Sequence, residues 1–183
     1  MPIRFLLVSI GLFFILPAIG QNKIKWTSWD QAAEKIEKGN HKFMIYFYYD
    51  GCKWCRYMDE TTLSSDHIAR FVNQNFYAFR VNALSTDRFV ADKTYSSTVR
   101  IGKYEFHELA VELLAGNMSF PSIVFMDEQF KKLGVYDSYM EVPNFEKLLS
   151  FYAGDHHKNT MWRKFSNSYC RDSHFNTLVN GKN

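Results

Sequence analysis

Two cysteines separated by two residues are the clearest chemical feature of this sequence. The segment from Cys52 to Cys55 reads Cys-Lys-Trp-Cys, and it lies between an apolar run and a predicted helix, just after an Asp-Gly turn at 50–51. If a helix begins at Cys52, the i, i+3 spacing puts both sulfur atoms on one helical face, close enough to form a disulfide. Unpaired N–H groups and the partial positive charge of a helix N-terminus stabilise a thiolate, and Lys53 adds a cation. Thiols in such positions have a pKa of roughly 3.5–7.5 instead of about 8.5.

This setting predicts redox chemistry at the cysteine pair. Cys52, at the start of the helix, is the expected exposed nucleophile, and Cys55, one turn deeper, is expected to resolve the mixed disulfide. A static disulfide and half of a zinc site have the same spacing, so both alternatives stay open on this evidence. The order of strand, turn, cysteine pair and helix favours the redox interpretation.

The elements that must position the pair follow from the apolar pattern. Residues 43–49 form a continuous apolar and aromatic run, which predicts a central strand that is buried on both faces. Asp66 is expected to cap one of the helices. The other predicted strands are at 24–26, 76–81, 122–126 and 132–136, the helices at about 27–39, 52 onward, 66 onward, 104–115 and 143–152, and an inserted hairpin at 88–102. This order predicts an α/β architecture.

Composition and charge exclude several classes of protein. The 183 residues are 46% hydrophobic and 17% aromatic, which excludes a disordered chain, and the length fits one domain with a sizeable core. The formal net charge of +3 is small and the basic residues are scattered, so we expect no nucleic-acid partner. We also expect the protein to be a monomer. Cys170 is left over, and we expect an idle thiol there, with an intermolecular disulfide as the alternative.

The first twenty residues differ from the rest of the chain. An apolar run of about twelve residues follows Arg4, and small residues stand at Ala18 and Gly20. The run is shorter than the roughly 20 residues that a membrane-spanning helix needs. We therefore expect residues 1–20 to be a signal peptide cleaved near Gly20, with an uncleaved anchor as the alternative. The mature protein would then be periplasmic or secreted, where disulfides persist.

Longer motifs around the cysteines resemble the thioredoxin superfamily. The run at 47–55, Phe-Tyr-Tyr-Asp-Gly-Cys-Lys-Trp-Cys, and the run at 120–126, Phe-Pro-Ser-Ile-Val-Phe-Met, carry most of the likeness. More narrowly, the sequence resembles exported bacterial thioredoxin-like proteins with a Cys-x-Trp-Cys centre. The likeness extends over about residues 24–165. The expected organisation is a signal peptide at 1–20, a thioredoxin-like domain at 21–165 and a polar C-terminal tail at 166–183.

The resemblance implies a fold and an activity. The implied fold is a central mixed sheet flanked by helices, with the inserted hairpin before the third main helix. The implied activity is thiol–disulfide exchange with exported proteins, usually as a reductase, and it needs neither cofactor nor metal. Electrons would come from a partner, for which a membrane-bound thiol reductase is the expectation. A non-catalytic binding module and a metal carrier are the alternative functions.

The resemblance also assigns roles to individual residues. It makes Cys52 the nucleophile, Cys55 the resolving cysteine and Pro121 a cis-proline beside the active site. Trp54, Phe120 and Pro121 are the expected substrate contacts.

One position departs from the thioredoxin pattern. Thioredoxins commonly carry a buried Asp six residues before the first cysteine, and that carboxylate accepts a proton when the second cysteine ionises. Here the position is Tyr46, and a phenol with a reference pKa of about 10 is no base at neutral pH. Asp59 is the candidate proton acceptor in its place, because it lies i+4 from Cys55 and so on the same helical face. Solvent is the alternative acceptor.

Overall fold

The computed structural model describes residues 22–171, 175–176 and 178. The strands in this part of the chain are β1 (Lys42–Tyr48), β2 (Phe76–Asn82), β3 (Phe89–Val90), β4 (Thr94–Tyr95), β5 (Thr98–Ile101), β6 (Tyr104–His107), β7 (Ser122–Met126) and β8 (Lys132–Tyr136). The helices are α1 (Ala32–Lys38), α2 (Lys53–Met58), α3 (Asp66–Asn75), α4 (Glu108–Leu113), α5 (Val142–Ala153) and α6 (Trp162–Ser168). A single wider π-helical turn, Asp59–Leu63, continues α2.

A four-stranded mixed sheet organises the molecule. Its strand order is β2-β1-β7-β8, with β1 and β2 parallel and the remaining pairs antiparallel. β1 is buried from Lys42 to Phe47, which confirms the predicted central strand. Because successive side chains of a strand point to opposite faces, β1 contributes to two separate cores. The helices lie on both faces, so the predicted thioredoxin fold is confirmed.

The two cores differ in the helices that cover them. Met44 and Tyr46 pack on one face with apolar residues of α2, α3 and α5. Phe43, Ile45 and Phe47 pack on the other face with residues of α1 and α4. Each fully buried aromatic or aliphatic side chain stabilises the fold by roughly 1.5–3 kcal/mol relative to exposure. Because both faces of β1 are buried, the end of the strand that leads to the cysteine pair is held in a fixed position.

The inserted segment is longer than the sequence pattern indicates. β3 and β4 form the predicted hairpin around Asp92, and a second hairpin follows, in which β5 and β6 pair Val99 with Phe106. The prediction of a helix from Tyr104 is therefore wrong in its first turn, because residues 104–107 are a strand. α4 begins at Glu108, where the His107 ring accepts a hydrogen bond from the Leu109 N–H.

Two further predictions at the N-terminal end of the domain are wrong. Residues 24–26 form no strand, since Trp26 makes only an isolated parallel bridge to Ala78. Asp66 does not cap α3 from the preceding position, which Ser65 occupies. Asp66 instead accepts hydrogen bonds from the backbone N–H and side-chain amide of Asn22, at 2.7 and 2.8 Å. The carboxylate thus fastens the incoming chain to α3.

The C-terminal segment packs on the domain. The hydroxyl of Tyr169 donates to the buried carboxylate of Glu146 on α5, and Phe175 stacks on Phe71 of α3 with ring centroids 4.2 Å apart. The described part of the expected tail at 166–183 thus shares the core of the domain. No helix among the described residues is both long and apolar enough to cross a bilayer, and the predicted signal segment at 1–20 lies outside them.

Candidate active site

The cysteine pair lies where β1 gives way to α2. After β1 the chain turns through Gly51, whose φ of +88° is a conformation that residues with a side chain rarely adopt. Cys52 then occupies the N-cap position of α2 with an extended backbone, and its Sγ accepts a hydrogen bond from the Cys55 N–H at 3.1 Å. A disulfide bond joins Cys52 and Cys55, with the Cα atoms 5.2 Å apart. The helix start therefore holds both sulfurs and donates a backbone N–H to the first.

The two cysteines differ modestly in exposure. Cys52 is 7% exposed and Cys55 is 2% exposed in the disulfide form. The order agrees with the expectation that Cys52 is the accessible sulfur, although both side chains are largely covered.

An aromatic ridge flanks the disulfide. Trp54 is 61% exposed, and its ring lies 6.0 Å from that of Tyr57 and 5.7 Å from that of Tyr139. Trp54, Tyr139 and Phe120 line one recess of about 270 Å³ together with residues 137–138. The structure thus brings together Trp54 and Phe120, two of the three residues expected to contact substrate.

Pro121 lies at the same end of the sheet as the cysteine pair. The Phe120–Pro121 peptide bond is cis, as the resemblance implied. Pro121 is buried and directly precedes β7, whose first residue, Ser122, pairs with Phe47 near the end of β1. The Phe120 ring in turn contacts Tyr49, with centroids 5.4 Å apart. These contacts place the cis peptide beside the loop that leads to Cys52.

A polar network lies beneath the second cysteine. The carbonyl oxygen of Cys55 accepts hydrogen bonds from the Tyr46 hydroxyl, at 3.1 Å, and from the backbone N–H of Asp59. The Asp59 carboxylate pairs with the Arg80 guanidinium at 2.6 Å. Burial raises the pKa of Asp59 above its ordinary value, and Arg80 opposes that shift. Burial, helped by the neighbouring Asp59 charge, also raises the pKa of Tyr46.

The sequence analysis missed Arg80. The parallel register of β1 and β2 pairs Arg80 with Tyr46, and its guanidinium lies 4.3 Å from the ring centre of Tyr48. A signal was available, because Arg80 is the single charged residue in the apolar run at 76–81. A charge in a strand that pairs with a buried neighbour needs a partner, and here that partner is Asp59.

Metal ligands are not grouped in the part of the chain that the structure describes. No cluster of three or more His, Cys, Asp or Glu side chains is arranged there as a metal site. His107 contacts the backbone carbonyl of Asp87 at 2.9 Å and the N–H of Leu109. Its ring is fully buried and ties the inserted hairpins to α4.

Comparisons with known proteins agree with this architecture. The family described as "Thioredoxin-like domain" matches residues 29–153. The mouse protein "Spermatogenesis-associated protein 20" is 31% identical over 80 residues, which are 43% of this chain and 10% of that protein. The chain thus spans about a tenth of the length of the curated relatives that it matches.

Solved structures show the same fold at low sequence identity. A thioredoxin-fold protein from Helicobacter pylori aligns with a TM-score of 0.57 and 16% identity over 78% of this chain and 94% of that chain. A protein described as "DsbH Oxidoreductase" aligns with a TM-score of 0.50 and 18% identity over 75% of this chain and 89% of that one.

Proposed function

The chain belongs to the thioredoxin-like domain family, and on that premise we propose that it is a thiol–disulfide oxidoreductase acting on disulfides of other exported proteins. One observation carries the proposal. The Cys52–Cys55 pair sits at the N-terminus of α2, where the Cys55 N–H already donates a hydrogen bond to Cys52 Sγ. A negative charge on that sulfur would strengthen this bond, because hydrogen bonds to ionised acceptors are roughly twice as strong as neutral ones. This arrangement favours Cys52 as the attacking thiolate.

The reaction proceeds in two exchanges of sulfur partners. In the reduced protein, the Cys52 thiolate attacks one sulfur of a substrate disulfide, which forms a mixed disulfide and releases the other substrate sulfur as a thiolate. Cys55 then loses its proton and attacks Cys52 Sγ, which restores the Cys52–Cys55 disulfide and releases the second substrate thiol. Two electrons pass from the cysteine pair to the substrate.

The second exchange needs a proton acceptor for the Cys55 thiol. Asp59 is the candidate, because it lies one helical turn after Cys55, where its backbone N–H donates a hydrogen bond to the Cys55 carbonyl. Burial raises the pKa of its carboxyl group, which makes the carboxylate a stronger base. Arg80 holds the carboxylate in place through its 2.6 Å ion pair. Tyr46 keeps its proton and supports the helix from below.

The cellular setting of the reaction is part of the same proposal. A chain that starts with a cleavable signal at 1–20 would work in an oxidising compartment, where a dithiol stays reduced only if a partner supplies electrons. We assign that supply to a membrane-bound thiol reductase. One structural neighbour is called an oxidoreductase, which agrees with the proposed reaction class.

Insulin reduction in the presence of dithiothreitol tests the proposal. The purified protein should accelerate insulin precipitation, and Cys52→Ser should abolish the acceleration. Cys170→Ser is the matched control, because it also removes one cysteine and should keep the wild-type rate. A wild-type protein that fails to accelerate the reaction would refute the oxidoreductase assignment.

The reduction potential of the Cys52–Cys55 pair gives the direction of electron flow. We expect a value near that of thioredoxin, roughly −270 mV, as suits a reductant. A value near that of the strong oxidant DsbA, roughly −120 mV, would reverse the proposed direction while leaving the reaction class intact.

A further inference from the structure

A second recess lies on the other side of Phe120, away from the Trp54 ridge. It has a volume of about 130 Å³, and four of its six lining side chains are aromatic. We call it the hairpin pocket, and it is lined by Tyr49, Leu84, Tyr104, Phe106, Met118 and Phe120. A dry apolar cavity of roughly 150 Å³ in another protein holds a benzene molecule, so the hairpin pocket has room for about one large apolar side chain.

The inserted segment builds one wall of the hairpin pocket. Tyr104 and Phe106 both lie on β6, in the second hairpin, and their rings are 5.8 Å apart. Tyr104 is 42% exposed, whereas Phe106 is buried and stacks on Phe120 at 5.9 Å. Tyr104 therefore leaves part of its ring open to solvent at the edge of the recess.

The pocket adjoins the two segments that flank the disulfide. Tyr49 is three residues before Cys52, and the Cys52 N–H donates to the Tyr49 carbonyl at 3.2 Å. Phe120 also lines the hairpin pocket, and it directly precedes the cis peptide bond at Pro121. Two lining residues of the pocket thus belong to the segments on either side of the disulfide. This proximity favours a part of the disulfide substrate itself as the occupant.

The charged side chains of the hairpin have partners outside the pocket lining or on its rim. Arg100 pairs with Glu105 at 2.8 Å, and the Lys103 ammonium lies 5.0 Å from the ring centre of Tyr104. The pocket lining itself contains aromatic and aliphatic side chains, so an uncharged apolar group is the occupant that these surroundings favour.

Resting on the function proposed above, we propose that the hairpin pocket selects polypeptide substrates that carry a large apolar side chain within two residues of the reacting cysteine. In an extended polypeptide, alternate side chains lie on one face roughly 6.6–6.8 Å apart, so a neighbour of the bonded cysteine reaches into an adjoining recess. The selected substrates are unfolded or extended segments, because a large apolar side chain beside a cysteine is buried in a folded protein.

Single-turnover kinetics with a peptide series test the inference. Each peptide has one cysteine in a disulfide with a chromogenic aryl thiol, which leaves when Cys52 attacks the peptide sulfur. Phenylalanine replaces serine in turn at the two positions on either side of the cysteine. For the wild-type protein we expect at least one position to raise the second-order rate constant about tenfold, as partial burial of one such side chain would give. Tyr104→Ala should remove most of that gain, and Tyr104→Phe should keep it.

Two controls separate the possible failures. Val99→Ala removes an exposed apolar residue of the same hairpin that does not line the pocket, and it should keep the gain. Hydroxyethyl disulfide has no apolar side chain, and Val99→Ala should reduce it at the wild-type rate. Equal gain in wild type and Tyr104→Ala, or no gain at any position, would overturn the pocket assignment while the oxidoreductase function stands. Failure of the wild type to reduce even hydroxyethyl disulfide would refute the function and the inference together.

Discussion

The Tyr46 hydroxyl donates a hydrogen bond to the carbonyl oxygen of Cys55 across 3.1 Å. The bond joins the central strand β1 to helix α2 directly beneath the second cysteine. Tyr46 is fully buried, and burial together with the nearby Asp59 charge raises the pKa of its phenol. The phenol therefore keeps its proton at neutral pH and acts as a hydrogen-bond donor to the helix.

Tyr46→Phe should lower the free energy of unfolding by about 1 kcal/mol. The substitution keeps the ring in place and removes only the hydroxyl, and a typical intramolecular hydrogen bond contributes about that much. The Cys55 carbonyl would still accept from the Asp59 N–H, which limits the loss. Urea unfolding of the oxidised proteins measures the change. Tyr48→Phe on the same strand serves as the control and should stay within about 0.5 kcal/mol of wild type.

Cys55→Ser should accumulate mixed disulfides with substrate, and Cys52→Ser should accumulate none. The reason is that Cys52 is the more exposed residue and its Sγ accepts the N–H hydrogen bond, while the role proposed for Cys55 is confined to the resolving step. Non-reducing gel electrophoresis after incubation with a reducible substrate detects the trapped species. Equal trapping by the two variants would show that the roles of the cysteines are not distinct.

Asp59→Asn should slow resolution of the mixed disulfide by roughly tenfold or more near pH 7, if Asp59 accepts the Cys55 proton. Near pH 9 the loss should shrink, because hydroxide and solvent bases can then ionise the thiol. Stopped-flow measurement of the resolving step at both pH values provides the test. Glu60→Gln is the neighbouring control and should leave the rate unchanged. A wild-type rate in Asp59→Asn at both pH values would assign the proton to solvent.

The sequence was sufficient for those features that depend on local pattern. The apolar run of β1, the glycine turn and the cysteine pair are contiguous, so periodicity and turn chemistry place them correctly. The Asp59–Arg80 pair was missed because its members are 21 residues apart and meet only through the parallel register of β1 and β2.

The second hairpin shows where local pattern misleads. Phe106 lies three residues before Leu109, which fits the face of a helix, and the helix prediction from Tyr104 used that spacing. In the structure the cross-strand pairs of β5 and β6 place Phe106 opposite Val99, and Gly102 turns the chain with a φ of +61°. Pairing between segments outweighed the local periodicity, so the aromatic wall of the hairpin pocket could not be predicted.

Stability should respond to acid through Glu108 at the start of α4. Hydrogen bonds from the Ser97 hydroxyl and N–H, and from the Ser96 N–H, lower the pKa of Glu108 from 4.5 to about 2. Because the pKa is lowered in the folded protein, ionised Glu108 stabilises the fold fully at pH values above its ordinary pKa of 4.5. This contribution is lost as the pH falls through about 2. Glu108→Gln should therefore be less stable than wild type at pH 6, with a deficit that shrinks between about pH 4.5 and 2. Urea unfolding across that range measures it, with exposed Glu37→Gln as the control. A deficit that does not change with pH would contradict the assignment.

Phe175→Ala should lower the free energy of unfolding by about 3 kcal/mol, although composition alone marks its surroundings as a polar tail. Phe175 is 2% exposed, stacks on Phe71 and meets the edge of the His67 ring at 5.8 Å, so truncation would leave a cavity in the core beside α3. Met161→Ala provides the matched control, because that large apolar side chain is 79% exposed and its removal should cost less than about 0.5 kcal/mol. Urea unfolding compares the two. A loss below about 1 kcal/mol in Phe175→Ala would mean that the C-terminal segment does not contribute to the core in solution.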